Sequence, residues 1–349
     1  MSAFDLKAHP HRRWNPLTRE WVLVSPHRAE RPWQGQLEPA ASELTLKFDP
    51  ACYLCPGNTR AGGATNPQYT GTFVFENDYA ALRPDTPAGE FREAGLLLAQ
   101  SEKGTCRVVC FSPRHDLTLA LMSTPEIEGV VTTWCDEFSR LGSQERVKAV
   151  QIFENRGAVM GCSNAHPHGQ IWVNETIPDE LAREMSTATE YFQAHKTTML
   201  ADYVKLELEQ KERLVCWNDH FVVLVPFWAV WPFETILISR TGVCSLPELP
   251  PEARASLADI LKQATVCYDN LFKTSFPYTM GFHQAPTDGK AHPEFHLHAH
   301  FYPPLLRGST VKKFMVGYEM LAMPQRDITP EVAAASLREM PRVHHTGRT

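Results

Sequence analysis

Two stretches of the chain carry apolar residues at helical spacing. In 126–141, Ile127, Val130, Trp134, Phe138 and Leu141 fall on one stripe, and in 252–272, Leu257, Leu261, Ala264, Tyr268 and Leu271 do the same. Such stripes predict amphipathic helices that bury one face. Shorter segments at 21–25, 147–153, 171–173, 222–225 and 236–239 have the period-two pattern of strands. Few helical segments separate them, too few for repeated βαβ crossovers. The pattern therefore predicts an α+β fold of mainly antiparallel sheet with helices packed on one face. Asp179 predicts the cap of a further helix running through Glu184 and Tyr191.

The pattern also repeats at a spacing of roughly 130–140 residues. Asn77-Asp78-Tyr79 introduces one apolar segment and Asn218-Asp219-His220 another. The strand-like run 107–112 is matched by 235–239, and each is followed by one of the two amphipathic helices. Both halves end in alternating histidines, His166-Pro167-His168-Gly169-Gln170 and His296-Leu297-His298-Ala299-His300. Four features in the same order predict a duplicated α+β domain, divided into 1–177 and 178–349.

At 349 residues the chain is too long for one ordinary core and suits two domains that share an interface. The formal net charge is −6, from 34 basic and 40 acidic residues, without a run of like charges. That sets nucleic acid aside as a partner while leaving room for a local nucleotide pocket. The longest apolar stretch, 221–233, is too short for a bilayer and is broken by Pro226 and Pro232. No apolar leader opens the chain, and nine scattered cysteines suit a reducing compartment. The expectation is a cytoplasmic protein with no membrane partner.

Alternating His-x-His places two imidazoles on one face of an extended strand, where they can bind a metal, or where one can act as a nucleophile while the other is tied down. An isolated pair could equally be satisfied in a core. Here the pair follows Gly157-Ala158-Val159-Met160-Gly161-Cys162-Ser163-Asn164, a glycine-bearing loop able to bring backbone N–H groups close to a phosphate. Cys52-Tyr53-Leu54-Cys55-Pro56-Gly57 has the spacing of half a zinc site. No thioredoxin-like βαβ context surrounds it, which argues against a redox role.

His166-Pro167-His168-Gly169-Gln170 resembles the motif of the transferase branch of the histidine triad superfamily, in which glutamine replaces the third histidine. The segments 9–18, 25–35, 155–157, 231–234, 297–304 and 313–319 are similar to the galactose-1-phosphate uridylyltransferase family. The matches run from residue 9 to about Asp327, nearly the whole chain. The resemblance implies two duplicated histidine-triad-like domains in a homodimer with shared active sites. It also implies UMP transfer from UDP-glucose to galactose 1-phosphate, releasing glucose 1-phosphate and UDP-galactose.

By the same resemblance His168 is the nucleophile, and Gln170 donates to a phosphoryl oxygen where a histidine would favour hydrolysis. Asn77 and Asp78 are implied at the uridine or its ribose, and Asn155, Gly161, Cys162 and Ser163 at the phosphates. Arg28 and Arg31 offer planar cations that fit phosphate oxygens. Lys313, Phe314, Val316, Tyr318, Glu319 and Gln325 are implied at the hexose, part of that set coming from the partner subunit. Cys52, Cys55, His115 and His166 are implied as zinc ligands, and Glu184, His283, His298 and His300 as ligands of iron or zinc. His292 and His296 blur this second set, because His296 shares a strand face with His298. Two alternatives stay open: a related adenylyltransferase or dinucleoside-polyphosphate phosphorylase, and a non-catalytic metal-stabilised nucleotide-binding module.

Overall fold

The structure, a computed structural model, describes residues 4–30 and 46–347. The chain opens on a hairpin, β1 (His11–Asn15) and β2 (Glu20–Val24), and then reaches β3 (Phe73–Glu76). A second hairpin, β4 (Glu90–Glu93) and β5 (Leu97–Gln100), precedes β6 (Gly104–Cys110) and α1 (Thr124–Gly142). The first half ends with β7 (Ala149–Arg156) and β8 (His168–Asn174). Two helices, α2 (Asp179–His195) and α3 (Met199–Gln210), lead to β9 (Leu214–Trp217), β10 (Phe221–Leu224) and β11 (Thr235–Ser239). Next come α4 (Pro251–Phe272), β12 (Tyr278–His283) and β13 (His298–Tyr302). The closing segment holds β14 (Leu305–Gly308), β15 (Val311–Lys312), α5 (Tyr318–Leu321), β16 (Gln325–Arg326) and α6 (Pro330–Arg338).

Nine strands form one sheet in the order β3-β6-β8-β7-β12-β13-β11-β10-β9, and every neighbouring pair is antiparallel. Outward from the β7–β12 seam, the run β7, β8, β6, β3 is mirrored by β12, β13, β11, β10, with β9 added at the edge. The helices α1 and α4 follow β6 and β11. The duplicated pattern in the sequence is thus a two-fold repeat about the seam.

Two local expectations change. Asn77-Asp78-Tyr79 leaves the end of β3 and introduces no strand, whereas Asn218-Asp219-His220 is the turn between β9 and β10. Residues 80–82 run into Arg83-Pro84, and Pro84 has no N–H to give a ladder. Asp179 is the first helical residue of α2 and does not cap it; the extended Pro178 holds the cap position without a side-chain hydrogen bond. The Asp179 carboxylate lies in the first turn instead, where it favours the helix dipole.

The main core lies between the sheet and the pair α1 and α4. Trp134 of α1 meets Phe111 from the first half (ring centroids 5.7 Å apart) and Phe282 from the second (5.3 Å), both edge-on. The core is therefore continuous across the seam. On the opposite sheet face, Leu200 and Val204 of α3 cover Val222, Leu224, Ile236 and Ile238. Covered on both faces, β10 and β11 are apolar at nearly every position and do not alternate. No helix among the described residues is long and apolar enough to cross a membrane.

A small sheet joins the chain's two ends: β1 pairs antiparallel with β2, and β16 pairs parallel to β2. Arg13 of β1, 1% exposed, donates to both carboxylate oxygens of Glu331 on α6 at 2.8 and 3.0 Å. Arg213 donates to Glu331 at 3.0 Å and to Glu207 of α3 at 2.7 Å. The Arg13 guanidinium also lies 4.3 Å from the Phe227 ring centroid. Burial alone would push the Glu331 carboxyl up, but Arg13 and Arg213 hold it down at about 2. A depressed carboxyl stabilises the fold above its unfolded-state value and loses that contribution as pH falls toward about 2. Glu331→Gln is expected to cost roughly 3 kcal/mol at neutral pH, since it strands a buried Arg13. The cost should shrink as pH falls from 5 toward 2. Urea unfolding of both proteins across that range checks this, and a pH-independent difference would contradict it.

Candidate active site and metal-ligand clusters

Strand β8 carries His168, Gln170 and Trp172 on one face, while Gly169, Ile171 and Val173 point into the core. Gly169 is demanded by packing: a Cβ there would meet Phe111 Cζ and the Phe153 carbonyl oxygen, each at 2.9 Å. His168 Nδ1 lies 2.7 Å from the His166 carbonyl oxygen. A carbonyl only accepts, so Nδ1 carries the proton and Nε2 keeps its lone pair. Burial pushes the His168 imidazole below its ordinary range, and the Arg156 charge adds to this, outweighing the His166 carbonyl. The ring is neutral near pH 7, with Nε2 available. The Trp172 indole N–H donates to Gln170 Oε1 at 2.9 Å.

The loop before His168 turns at Gly157 (φ 85°) and Gly161 (φ 78°), conformations that favour glycine. Arg156 at the end of β7 donates to the Ala165 carbonyl at 3.3 Å and to Ser275 Oγ at 2.6 Å, tying the loop to the second half. Ser163 Oγ lies 3.4 Å from Tyr53 Oη, which joins the loop to the Cys52–Cys55 turn. Asn155 accepts from Thr279 Oγ1 at 3.1 Å across the seam.

Ligand atoms of Cys52, Cys55, His115 and His166 all lie within 4.8 Å of one another. Cys55 Sγ is 3.7 Å from His115 Nδ1 and 3.5 Å from His166 Nδ1. His166 Nε2–H donates to the Ser112 carbonyl at 2.8 Å, with Tyr69 Oη at 3.0 Å, so Nδ1 is the lone-pair atom facing the thiols. Burial pushes the Cys55 thiol up to about 11 and the His166 imidazole down to about 4. Two cysteine sulfurs and two imidazoles around one point match the donor set of a tetrahedral cation site. Asn164 locks this cluster to the loop: its Oδ1 accepts from the His166 N–H at 2.8 Å, and its Nδ2 lies 3.3 Å from Cys52 Sγ.

The second cluster, Glu184, His283, His298 and His300, meets the same 4.8 Å limit. Glu184 Oε2 is 2.8 Å from His283 Nδ1 and 3.3 Å from His298 Nε2, and its Oε1 is 3.7 Å from His300 Nε2. Burial would raise the Glu184 carboxyl, yet His283 and His298 hold it well below the usual carboxylate range. His298 Nε2 and both ring nitrogens of His300 are buried without a hydrogen-bond partner. Orphaned nitrogens converging on a buried carboxylate are what a bound cation would satisfy.

His296 and His292 stand outside this cluster. His296 Nε2 donates to the Ser239 carbonyl at 2.7 Å, and its Nδ1 meets Thr198 Oγ1 at 2.8 Å. His292 sits between Asp288 (2.9 Å) and Glu294 (3.0 Å). The second half repeats the first half's hydrogen bonds: His296 on Ser239 parallels His166 on Ser112, and His298 Nδ1 on the His296 carbonyl (2.7 Å) parallels His168 on His166.

Asp78 lies 3.7 Å from Arg60, whose guanidinium covers the Phe75 ring at 4.2 Å, and Asn77 accepts from the Tyr79 N–H at 2.9 Å. Arg28 pairs with Asp327 at 3.2 Å, and Gln325 donates to the same carboxylate at 2.7 Å. Lys313 and Arg326 both donate to Glu319. Phe314, Val316 and Tyr318 are more than half exposed. Among the described residues, these hexose candidates make no hydrogen bond or ion pair to the His168 loop, and their polar contacts run through Asp327 and Glu319. Arg31 lies outside the described residues. Asn164, Tyr69 and Arg156 take structural roles that no sequence motif announces. Asn164 and Arg156 at least stand within the segments 157–164 and 155–157, whereas nothing local distinguishes Tyr69.

Comparison with known proteins bears on this arrangement from end to end. The model of the galactose-1-phosphate uridyl transferase N-terminal domain matches residues 2–178, and that of its C-terminal domain matches 184–349. The chain is 54% identical over 346 residues to galactose-1-phosphate uridylyltransferase of Haemophilus influenzae, covering 99% of each. It is 51% identical over 347 residues to the Rattus norvegicus protein of that name, covering 99% of this chain and 91% of the other. A solved uridylyltransferase structure superposes with a TM-score of 0.75 at 26% identity, over 94% of this chain and 97% of that one. An ADP-glucose phosphorylase from Arabidopsis thaliana shares the fold at a TM-score of 0.75 and 22% identity, over 95% and 99%. With both domain models and near-full-length relatives agreeing, the chain belongs to the galactose-1-phosphate uridylyltransferase family.

Proposed function

We propose that the chain moves UMP from UDP-glucose to galactose 1-phosphate in two half-reactions through a uridylylated His168. The observation that carries this is the His168 ring: Nδ1–H is held by the His166 carbonyl at 2.7 Å, the ring is neutral, and Nε2 is free to attack. In the first half-reaction the Nε2 lone pair attacks the α-phosphorus of UDP-glucose. The bond from that phosphorus to the bridging oxygen breaks, and glucose 1-phosphate leaves with the electron pair. The ring, protonated at Nδ1, becomes a cationic phosphoramidate, which makes imidazole a good leaving group. The His166 carbonyl dipole faces this charge. In the second half-reaction a phosphate oxygen of galactose 1-phosphate attacks, the P–N bond breaks and its electrons return to Nε2, giving UDP-galactose.

The transferred group is ringed with negative charge, so positioning and charge stabilisation carry most of the catalysis. Gln170 offers an uncharged amide to a phosphoryl oxygen. In this reading Asn155, Gly161, Cys162 and Ser163 hold the phosphates, and Asn77 and Asp78 contact the uridine or its ribose. Lys313, Phe314, Val316, Tyr318, Glu319 and Gln325 reach the hexose, and Arg28 and Arg31 offer planar cations to phosphate oxygens. The exposure of Phe314, Val316 and Tyr318 supports a homodimer that completes each site across its interface. Domains 1–177 and 178–349 divide the work, the first holding the nucleophile. Relatives at about half identity support the uridylyl reading over an adenylyl one, since the ADP-glucose enzyme shares only the fold.

Cys52, Cys55, His115 and His166 would hold zinc, and Glu184, His283, His298 and His300 iron or zinc. A cation at either site supplies structural cross-linking, outside the reaction itself. Nine free cysteines support a cytoplasmic location.

Enzyme and UDP-glucose alone are expected to exchange labelled glucose 1-phosphate into UDP-glucose without any galactose 1-phosphate. His168→Asn should bind UDP-glucose and fail to exchange. Robust exchange in that variant, or none in the wild type while full turnover is rapid, would falsify the covalent route.

Gln170→Arg is expected to fold and lose nearly all transfer, because a bulky cation displaces the amide and over-binds the phosphoryl group before reaction. Near-normal turnover of the folded protein would remove Gln170 from the mechanism.

Cys52→Ser with Cys55→Ser should lose zinc and some thermal stability while losing less activity than His168→Asn. Elemental analysis showing unchanged zinc would disprove the ligand set.

A further inference from the structure

A glutamine amide has two faces of opposite character, and only one helps a phosphoryl group. Its NH₂ can donate to phosphate oxygens, whereas its carbonyl oxygen would repel them. A side-chain flip exchanges the two at nearly the same shape. Something must therefore choose the orientation of Gln170, and the nearest candidate stands two residues along the same strand face.

Trp172 Nε1 lies 2.9 Å from Gln170 Oε1. An indole nitrogen donates and never accepts, so the atom it meets must be the carbonyl oxygen; the flipped amide would set N–H against N–H. The indole is itself held in place. The Phe153 ring packs on it at 5.7 Å and a 75° interplanar angle, and the backbone registers Trp172 against Gln151 and Gln170 against Phe153. Close packing around Gly169 fixes the strand beneath. In the second half the matching positions are His300 and Tyr302, stacked at 5.3 Å, and there His300 belongs to the metal-ligand cluster. The N–H-to-amide pair occurs only in the half that carries the nucleophile.

We propose that Trp172 is a positioning residue, whose indole N–H locks the Gln170 amide so that its NH₂ group faces the transferred phosphoryl. The proposal rests on the reading of Gln170 as the phosphoryl donor. Trp172 touches neither substrate nor nucleophile in this role; it acts only through Gln170.

The test is exchange of labelled glucose 1-phosphate into UDP-glucose, with kcat and KM separated, in wild type, Trp172→Phe, Gln170→Ala and the double variant. Trp172→Phe should lower kcat about tenfold, equal to about 1.4 kcal/mol of barrier. KM for UDP-glucose should stay within about twofold, because the lost contact matters in the transition state. In the Gln170→Ala background the same substitution should change nothing further, since no amide is left to orient. Losses that multiply would show that the indole acts through packing and overturn the proposal, as would wild-type kcat in Trp172→Phe. Unimpaired exchange in Gln170→Ala would overturn the reading of Gln170 itself. Should the phenylalanine variant not fold, replacement of Trp172 by 3-benzothienylalanine keeps the ring shape and exchanges only N–H for sulfur. It must reproduce the tenfold loss, and full activity there overturns the proposal.

Discussion

His166 carries two duties that the rest of the site depends on. Its carbonyl oxygen accepts a hydrogen bond from His168 Nδ1–H and so fixes which nitrogen of that imidazole keeps its lone pair. Its own ring, held through Nε2 by the Ser112 carbonyl, turns Nδ1 toward Cys55 and the rest of the first ligand cluster. One residue thus couples the ligand cluster to the nucleophile through a single backbone. A shift of the cluster moves the carbonyl that sets the tautomer, so a cation held there would govern the geometry at His168 without entering the reaction. Asn164 reinforces the coupling by bonding to both Cys52 and the His166 N–H.

The second half uses the same backbone device for another purpose. His298 is locked through Nδ1 by the His296 carbonyl, as His168 is by His166. Its Nε2, the atom that stays free in the first half, faces Glu184. The same tautomer in both halves leaves a lone pair at Nε2, the atom that a nucleophile or a metal ligand would each use. What separates the outcomes is the buried carboxylate brought in by α2 and the third position, amide in one half and imidazole in the other.

The halves do not behave as detachable units. The β7–β12 ladder runs through the middle of one sheet, Trp134 packs on side chains from both sides of it, and Arg156 reaches across to Ser275. The sheet of β1, β2 and β16 ties the two chain ends through buried Arg13 and Glu331. The Arg28, Asp327 and Gln325 contacts adjoin that sheet, so they depend on pairing between residues some three hundred positions apart.

Much of this was legible in the sequence, because it rests on local periodicity. The stripes of α1 and α4, the alternation in strands such as β7 and β8 and the repeated His-x-His motifs are properties of neighbouring residues, and they imposed the α+β class and the duplication. The Cys52–Cys55 spacing and the glycines at 157 and 161 are likewise local demands of geometry. Only the tertiary structure decided what depends on distant partners. It excluded His292 and His296 from the second cluster by giving their nitrogens to Asp288, Glu294, Thr198 and Ser239. It placed Pro178, not Asp179, at the helix cap, and gave Asn77 and Asn218 unequal places despite matching sequence. It set the tautomers of His166 and His168, because a ring nitrogen's proton follows the carbonyl that happens to face it. Spacing along a strand fixes which side chains share a face, but the partner that face meets is chosen by the fold.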